Sequence, residues 1–151
     1  MNHYLFKSEP SDYSIDDLKK DKQAMWDGIR NYQARNFMRD DMRVGDQILF
    51  YHSNHKPPHI AGLAKVASEP YPDPTQFDKN SKYYDPKSTP ENPRWMLVDV
   101  AFVKKAKRIL TLAEVKADPI LEGIKLAQKG QRLSIQPVSE AHFEYIETLI
   151  G

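Results

Sequence analysis

Apolar residues near the start of the chain predict a β-strand over residues 3–8. Pro10 ends this strand, because proline offers no hydrogen-bond donor to a neighbouring strand. Lys7, Ser8 and Glu9 therefore lie at the carboxyl end of the strand, where side chains often face a cleft. We expect these three residues to belong to a binding site.

Alternating apolar positions predict further strands, because successive side chains of a strand point to opposite faces. Within residues 47–53, Ile48, Phe50 and His52 share one face, and residues 59–67 form the next strand. Two later strands are predicted at residues 94–103 and 132–136.

Short polar side chains mark the helix starts, since they accept hydrogen bonds from the first backbone N–H groups. The predicted caps are Ser14, Asn31, Thr111 and Ser139. The last helix is expected to bury Phe143, Ile146 and Ile150, which follow helical spacing. Strands with short helices between them indicate an α+β fold around a curved sheet or barrel, in a single domain over residues 1–151.

The composition is that of a soluble globular protein, with 40% hydrophobic and 28% charged residues. The absence of cysteine excludes disulfides and thiolate-bound metals and fits a reducing cytoplasm. No apolar run approaches the roughly 18–20 residues that span a bilayer, and residues 1–4 lack the features of a signal peptide. We therefore expect a cytoplasmic protein with no membrane partner. The oligomeric state is left open, with a monomer as the default.

The formal net charge is only +1, whereas non-specific duplex binders carry a broad excess of Lys and Arg against phosphates. Any nucleic-acid binding must therefore depend on local contacts in a pocket. The densest basic segment, residues 104–108, is predicted to be the solvated end of the preceding strand, with a phosphate contact as the alternative.

The sequence lacks the common catalytic motifs, including Gly-x-Ser-x-Gly, a phosphate-binding loop and a dinucleotide fingerprint. Lys7 and Glu9 could act as an acid–base pair, but an ion pair at a strand end is the commoner arrangement. His52, His55 and His59 flank a proline-rich loop with no carboxylate among them, so a metal site is not expected. The sequence therefore predicts no enzyme, no metal and no cofactor.

The most distinctive stretch is residues 26–36, which combines Trp26 and Tyr32 with two arginines, two asparagines and a glutamine. Flat rings and planar amide or guanidinium groups are what a site needs to stack on a base and bind its edge. The alternative is structural: Trp26 belongs to the core, and the polar groups cap the next helix. Residues 69–93, called the 69–93 loop below, lack periodicity, and their aromatic residues argue for order.

Several motifs resemble the EVE domain family. They begin with Lys7–Pro10, residues 26–36, Val44–Asp46 and Phe50–Asn54. They continue with Ile60–Gly62, Tyr71–Asp73, Thr75–Asp78, Tyr84–Pro86, Trp95 and Arg132–Pro137. The similarity covers essentially the whole chain, with the motifs in the order of the family.

This resemblance implies a PUA-like pseudo-β-barrel, related to ASCH and YTH domains, that reads a modified base in DNA or RNA. YTH domains hold a methylated adenine in an aromatic cage, and by this similarity Trp26 would stack on the base. Tyr83, Tyr84 or Trp95 would supply the second wall. The predicted ligand-binding residues are Lys7, Ser8, Glu9, Trp26, Asn31, Tyr32, Arg35, Tyr51, His52, Ser53, Tyr84 and Trp95.

Two other functions stay open on the sequence alone. An enzyme that processes RNA or a modified nucleotide would use Lys7, Glu9 and His52 as acid–base groups. A protein-binding adaptor would use the 69–93 loop for its contacts. Under the leading hypothesis of a base reader, replacing Trp26 with alanine should abolish binding without unfolding the chain.

Overall fold

The computed structural model describes residues 1–130 and 132–151, and in this part of the chain six strands form one curled sheet and two form a small second sheet. The strands are β1 His3–Ser8, β2 Gln23–Met25, β3 Gln47–His52, β4 His59–Val66, β5 Tyr71–Pro72, β6 Met96–Leu97, β7 Asp99–Thr111 and β8 Ile135–Val138. The helices are α1 Ile15–Asp21, α2 Tyr32–Asn36, α3 Leu112–Ala117 and α4 Glu140–Ile150. Single 3-10 turns occupy Pro74–Phe77, Pro119–Leu121 and Lys125–Ala127, and a π-helical turn, Phe37–Asp41, extends α2.

The main sheet has the strand order β2-β7-β4-β3-β1-β8 and curls into half a barrel. Strand β1 runs parallel to β3 and antiparallel to β8, and the remaining pairs of this sheet are antiparallel. The predicted α+β class with a barrel-like sheet is therefore confirmed. Over the described ranges, no helix is both long and apolar enough to cross a bilayer.

Both faces of the main sheet are covered, which explains why its central strands are apolar on both sides. Ile48 and Phe50 of β3 belong to a core cluster with α1 and α2, whereas Leu49 and Tyr51 belong to a second cluster with α3 and α4. The predicted alternation of β3 is thus confirmed. The face of α1 and α2 is the one that leads to the site described below.

The predicted helix caps are confirmed in their positions and their bonding. The side chain of each cap residue accepts a hydrogen bond from a backbone N–H in the first turn of its helix. Ser14 and Thr111 each form a complete capping box with the acidic residue three positions later. Helix α4 buries Phe143, Ile146 and Ile150 as expected.

Two strand predictions need correction. The strand expected at residues 94–103 is divided into β6 and β7, and β7 continues through the basic segment, which therefore lies inside a strand rather than at its end. Basic residues are tolerated there because residues 103–109 are exposed or half-buried. Lys105 pairs with Asp16 of α1 at 2.8 Å, and Lys104 donates to the carbonyl of Gly151. The last strand, predicted over residues 132–136, begins at Ile135 and continues through Pro137 to Val138, since β8 is an edge strand and proline needs no partner there.

Candidate functional site

A cavity of about 460 Å³ opens at the carboxyl end of β1, beside β2. Its lining comes from β1 and the loop after it, from β2 and the turn after it, and from the 69–93 loop. The lining residues are Lys7, Ser8, Glu9, Asp12, Tyr13, Ala24, Met25, Trp26, Asp27, Gly28, Ile29 and Tyr83. The volume lies within the range of about 300–1,000 Å³ that is usual for small-ligand sites. Aromatic rings beside polar groups make this cavity suitable for a planar ligand.

Trp26 lines the cavity and also belongs to the hydrophobic core. Only 9% of its surface is exposed, and its ring packs on Phe6 and Phe50 with centroid distances of 5.4 and 5.6 Å. The backbone N–H of Trp26 donates to the carbonyl of Val98 at 3.1 Å, which holds this segment against the sheet. The alternative considered in the sequence analysis, that Trp26 belongs to the core, is therefore confirmed.

Tyr83 is the residue of the 69–93 loop that lines the cavity. Its ring lies directly on the backbone of Gly28, where an added Cβ atom would be 2.6 Å from Tyr83 Cζ. Gly28 also has a φ of +80°, a conformation that residues with a side chain rarely adopt. Glycine is therefore required here for the close approach of the aromatic wall.

A buried carboxylate, that of Asp73, holds the turn of Gly28 to the 69–93 loop. It accepts hydrogen bonds from the N–H of Gly28 at 2.8 Å and from Arg30 Nη1 at 3.1 Å. It also accepts from the N–H and the hydroxyl of Thr75, at 2.8 and 2.6 Å. Arg30 in turn donates to the carbonyl of Tyr83 from Nη2 at 2.7 Å. Asp73 binds Gly28, and Arg30 binds both Asp73 and Tyr83. This ion pair therefore holds the two parts of the cavity wall, Gly28 and Tyr83, together.

The amide of Gln76, which is completely buried, organises the rest of the 69–93 loop. Its Nε2 donates to the carbonyls of Asp73 and Trp95 at 2.8 and 2.7 Å. Its Oε1 accepts from the hydroxyl of Ser88 and from the N–H of Trp95. Hydrogen bonds thus order a long segment that has few apolar positions, and they hold the part of the loop that carries Tyr83 in place.

The polar lining of the cavity is mainly acidic. Glu9, Asp12 and Asp27 supply carboxyl groups, and Lys7 supplies an ammonium group. Burial lowers the pKa of Lys7. Burial, followed by the nearby carboxylate of Asp73, raises the pKa of Asp27. Glu9 accepts a short hydrogen bond from the amide of Asn54, which follows β3.

His52 lies behind the site, in the core between β3 and α1. It is only 7% exposed, and its Nε2 accepts a hydrogen bond from the N–H of Ile15 at 3.1 Å. Burial, and then the neighbouring His59 and His55, lower the pKa of His52 to about 4. His52 is therefore neutral in the folded protein at pH 7. In the described ranges, no three histidines or carboxylates are grouped so as to hold a metal ion.

Acid should destabilise the fold through His52. Between pH 6.5 and about 4 the unfolded chain binds a proton at this residue and the folded chain does not, so stability falls as the pH falls. The shift corresponds to a loss of about 3 kcal/mol, complete near pH 4. His52→Gln keeps an acceptor for Ile15 and does not titrate. Urea unfolding of both proteins at pH 7 and pH 4.5 should show a smaller loss in the variant, and equal losses would contradict this role.

Four predicted ligand-binding residues, Lys7, Ser8, Glu9 and Trp26, are brought together on the cavity. Ser8 is held in place by its hydroxyl, which donates to the carbonyl of Tyr13 at 2.6 Å. The arrangement agrees with the expectation that the end of β1 faces a cleft. Their contact with a ligand stays a prediction.

Tyr32, Arg35 and Trp95 lie away from this lining and form a cluster of their own. The rings of Tyr32 and Trp95 stack at 4.8 Å, and the Arg35 guanidinium lies 4.7 Å from the Tyr32 ring centroid. The indole N–H of Trp95 donates to Asp85 at 2.8 Å. Arg30 joins the cluster to the cavity wall, since its guanidinium is 5.2 Å from the Trp95 ring and 5.4 Å from the Tyr83 ring.

The remaining predicted residues also lie outside the cavity lining. Asn31 caps α2, and Ser53 is joined to β1 by a backbone hydrogen bond. Tyr51 is buried on the opposite face of the sheet, where it lines a different cavity. Tyr84 is half-buried in the 69–93 loop, and His52 lies in the core as described. Their ligand contacts stay predictions.

The predicted site missed Asp27, Gly28, Arg30 and Asp73. The first two follow Trp26 directly in the sequence, and a glycine within a polar run is itself a sign of a close approach. Asp73 precedes a proline, the pattern that starts a short helical turn. Nothing in that pattern indicates that its carboxylate also binds Gly28 and Arg30.

Comparison with known proteins gives consistent matches over nearly the whole chain. The family model described as "EVE domain" matches residues 2–149. Human thymocyte nuclear protein 1 is 45% identical, and the alignment covers 98% of this chain and 73% of the human protein. A crystal structure of a Pseudomonas syringae protein has a TM-score of 0.93 at 45% identity, with 99% of both chains covered.

A further solved structure is that of the human protein in complex with DNA that contains 5-methylcytosine. Its TM-score is 0.90 at 44% identity, and the match covers 99% of this chain and 97% of the human chain. The EVE family match and the DNA complex of the human relative agree with the prediction of a binding protein rather than an enzyme.

Proposed function

Because this chain belongs to the EVE domain family, we propose that it binds nucleic acid that contains a modified base, as a reader and not as an enzyme. The observation that carries the proposal is the relative solved with 5-methylcytosine DNA, which shares the fold at 44% identity. DNA with a modified cytosine is therefore the first ligand to test.

The cavity beside β1 is the proposed binding site for the base. Its volume and its aromatic lining, Trp26 and Tyr83, support this assignment. A base held there must leave the stack of the nucleic acid, which costs less for a modified, mismatched or single-stranded base. Stacking on an aromatic side chain returns roughly 1–3 kcal/mol. Since Trp26 is mostly buried, Tyr83 would supply the larger aromatic surface.

The modest net charge of +1 also favours recognition by the cavity over attachment to the phosphate backbone. Binding that depends on many phosphate contacts weakens steeply with salt, because each contact releases counterions. A protein that relies on one pocket makes few such contacts. We therefore propose that its selectivity rests on the fit of the modified base.

Replacing Tyr83 with alanine should weaken binding by roughly tenfold or more, because the base loses its stacking surface. The measurement is fluorescence anisotropy of a labelled DNA duplex with one central 5-methylcytosine, titrated with pure protein. The unmethylated duplex serves as the ligand control.

Tyr84→Ala is the matched variant, since Tyr84 is the next residue in the same loop and the alternative wall predicted from the sequence, but it does not line the cavity. Its affinity should stay within a factor of two or three of the parent. Equal losses in both variants would contradict the placement of the base at Tyr83. A folded parent protein that binds neither the methylated nor the unmethylated duplex would contradict the proposed function for this ligand.

A further inference from the structure

The cavity offers many hydrogen-bond acceptors. Among the described residues that line it, Glu9, Asp12 and Asp27 carry carboxyl groups, whereas Lys7 carries the ammonium group. An ionised carboxylate only accepts hydrogen bonds and has about four lone-pair positions for them. A ligand that fits this lining must therefore present N–H groups to it.

Besides the ammonium group of Lys7, the lining has three donors that are directed into the protein. The hydroxyl of Ser8 donates to the carbonyl of Tyr13, and the hydroxyl of Tyr13 donates to Asp21 at 2.8 Å. The N–H of Gly28 donates to Asp73. These three groups are thus already used, and a ligand carbonyl that faces them would find no free proton.

Of the three carboxyl groups in the lining, only that of Asp27 is adjacent in the sequence to residues of both aromatic walls. It lies between Trp26, which forms one wall, and Gly28, on which the ring of Tyr83 rests. Asp27 is exposed, so its carboxyl group is accessible to a ligand. Desolvation by the surrounding chain and the charge of Asp73 raise its pKa, and an N–H donor from a ligand would stabilise the carboxylate in addition to its own backbone N–H. Glu9 is not adjacent to either wall in the chain, and one of its oxygens accepts from Asn54.

We propose that Asp27 selects a base with an exocyclic amino group, such as cytosine, over a base with a carbonyl at that position, such as thymine. This inference rests on the proposed function of the same cavity. Carboxylates accept hydrogen bonds from the cytosine amino group, whereas a thymine carbonyl would meet the carboxylate with like partial charge. A site built around one such bond rejects a ligand that cannot form it.

The test compares 5-methylcytosine with thymine, because both carry a methyl group on the same ring carbon. They differ at C4, which carries an amino group in one and a carbonyl in the other, and in the proton that thymine carries on N3. Each base is placed in the same labelled duplex opposite an abasic site, so that neither is paired and the cost of extraction is similar. The parent protein should bind the 5-methylcytosine duplex about tenfold more tightly than the thymine duplex.

Asp27→Asn keeps the shape of the side chain but adds an N–H donor, so it should reduce this preference to about twofold or less. Glu147→Gln removes one charge from the exposed face of α4 and should keep the parent's preference. An unchanged preference in Asp27→Asn, or a preference lost in Glu9→Gln alone, would overturn the assignment while binding itself persists. Failure of the parent to bind either duplex would overturn the proposed function together with this inference.

Discussion

Replacing Asp73 with asparagine is expected to lower the free energy of unfolding by about 3–5 kcal/mol, because it breaks a buried ion pair by removing one partner. The side chain of Asp73 is only 1% exposed, and it accepts from Gly28, Arg30 and Thr75. An asparagine amide would turn N–H groups toward at least one of these donors. Urea unfolding, followed by circular dichroism, measures the loss.

The matched control is Asp40→Asn, which removes a carboxylate from a pair with Arg39 that lies on the surface. Exposed ion pairs contribute little to stability, so this variant should unfold close to the parent. The Asp73 variant should also lose affinity for a modified base, because Gly28 and Tyr83 lose their common anchor. A variant that unfolds with the parent would show that Asp73 does not hold this part of the chain.

Replacing Trp26 with alanine should also cost about 3–5 kcal/mol of stability, the usual loss for a large aromatic side chain in a core. Its ring packs on Phe6 and Phe50 and contributes to the core cluster of α1 and α2. The burial of Trp26 therefore argues against the second part of the expectation from the sequence, that Trp26→Ala would abolish binding without unfolding the chain. If Trp26→Ala lost binding, the loss could come from partial unfolding as well as from the missing contact with the base.

Two further variants make the separation. Met25→Ala changes the exposed neighbour of Trp26 and should leave the unfolding free energy close to that of the parent. Trp26→Phe keeps most of the core volume, so it should stay folded at 25 °C while it presents a smaller ring to the cavity. Unfolding of Trp26→Ala at the same urea concentration as the parent would show that the core tolerates the loss of the indole.

Strands and helices whose position is set by a local sequence pattern, such as apolar alternation or a helix cap, were predictable from the sequence. Strand β3 follows its alternation, and α1 begins at the capping box of Ser14. The course of β7 was not predictable, because its outer face is solvated and the apolar alternation stops at Phe102, before the strand does. Strand β7 continues to Thr111 because it pairs with β4, and no local pattern in the sequence indicates that pairing.

The site was predictable to a similar extent. The end of β1 and Trp26 were found, since a strand end and an aromatic residue in a polar run are both visible locally. Choosing Tyr83 over Tyr84 as the aromatic wall depends on which side of the 69–93 loop faces Gly28. That orientation comes from bonds made by Asp73 and Gln76, which look like ordinary polar loop residues in the sequence.

Strand β1 has a consequence for how the chain folds as it leaves the ribosome. It lies between β3 and β8, so that His3 pairs with Val138 near the other end of the sequence. A nascent chain that has emerged only through β7 leaves one edge of β1 open, because β8 has not yet been made. Contacts over such a separation slow folding, and unpaired edges invite pairing with other chains. Completion of the sheet therefore waits until β8 has been made, and until then the open edge of β1 is available for pairing with other chains.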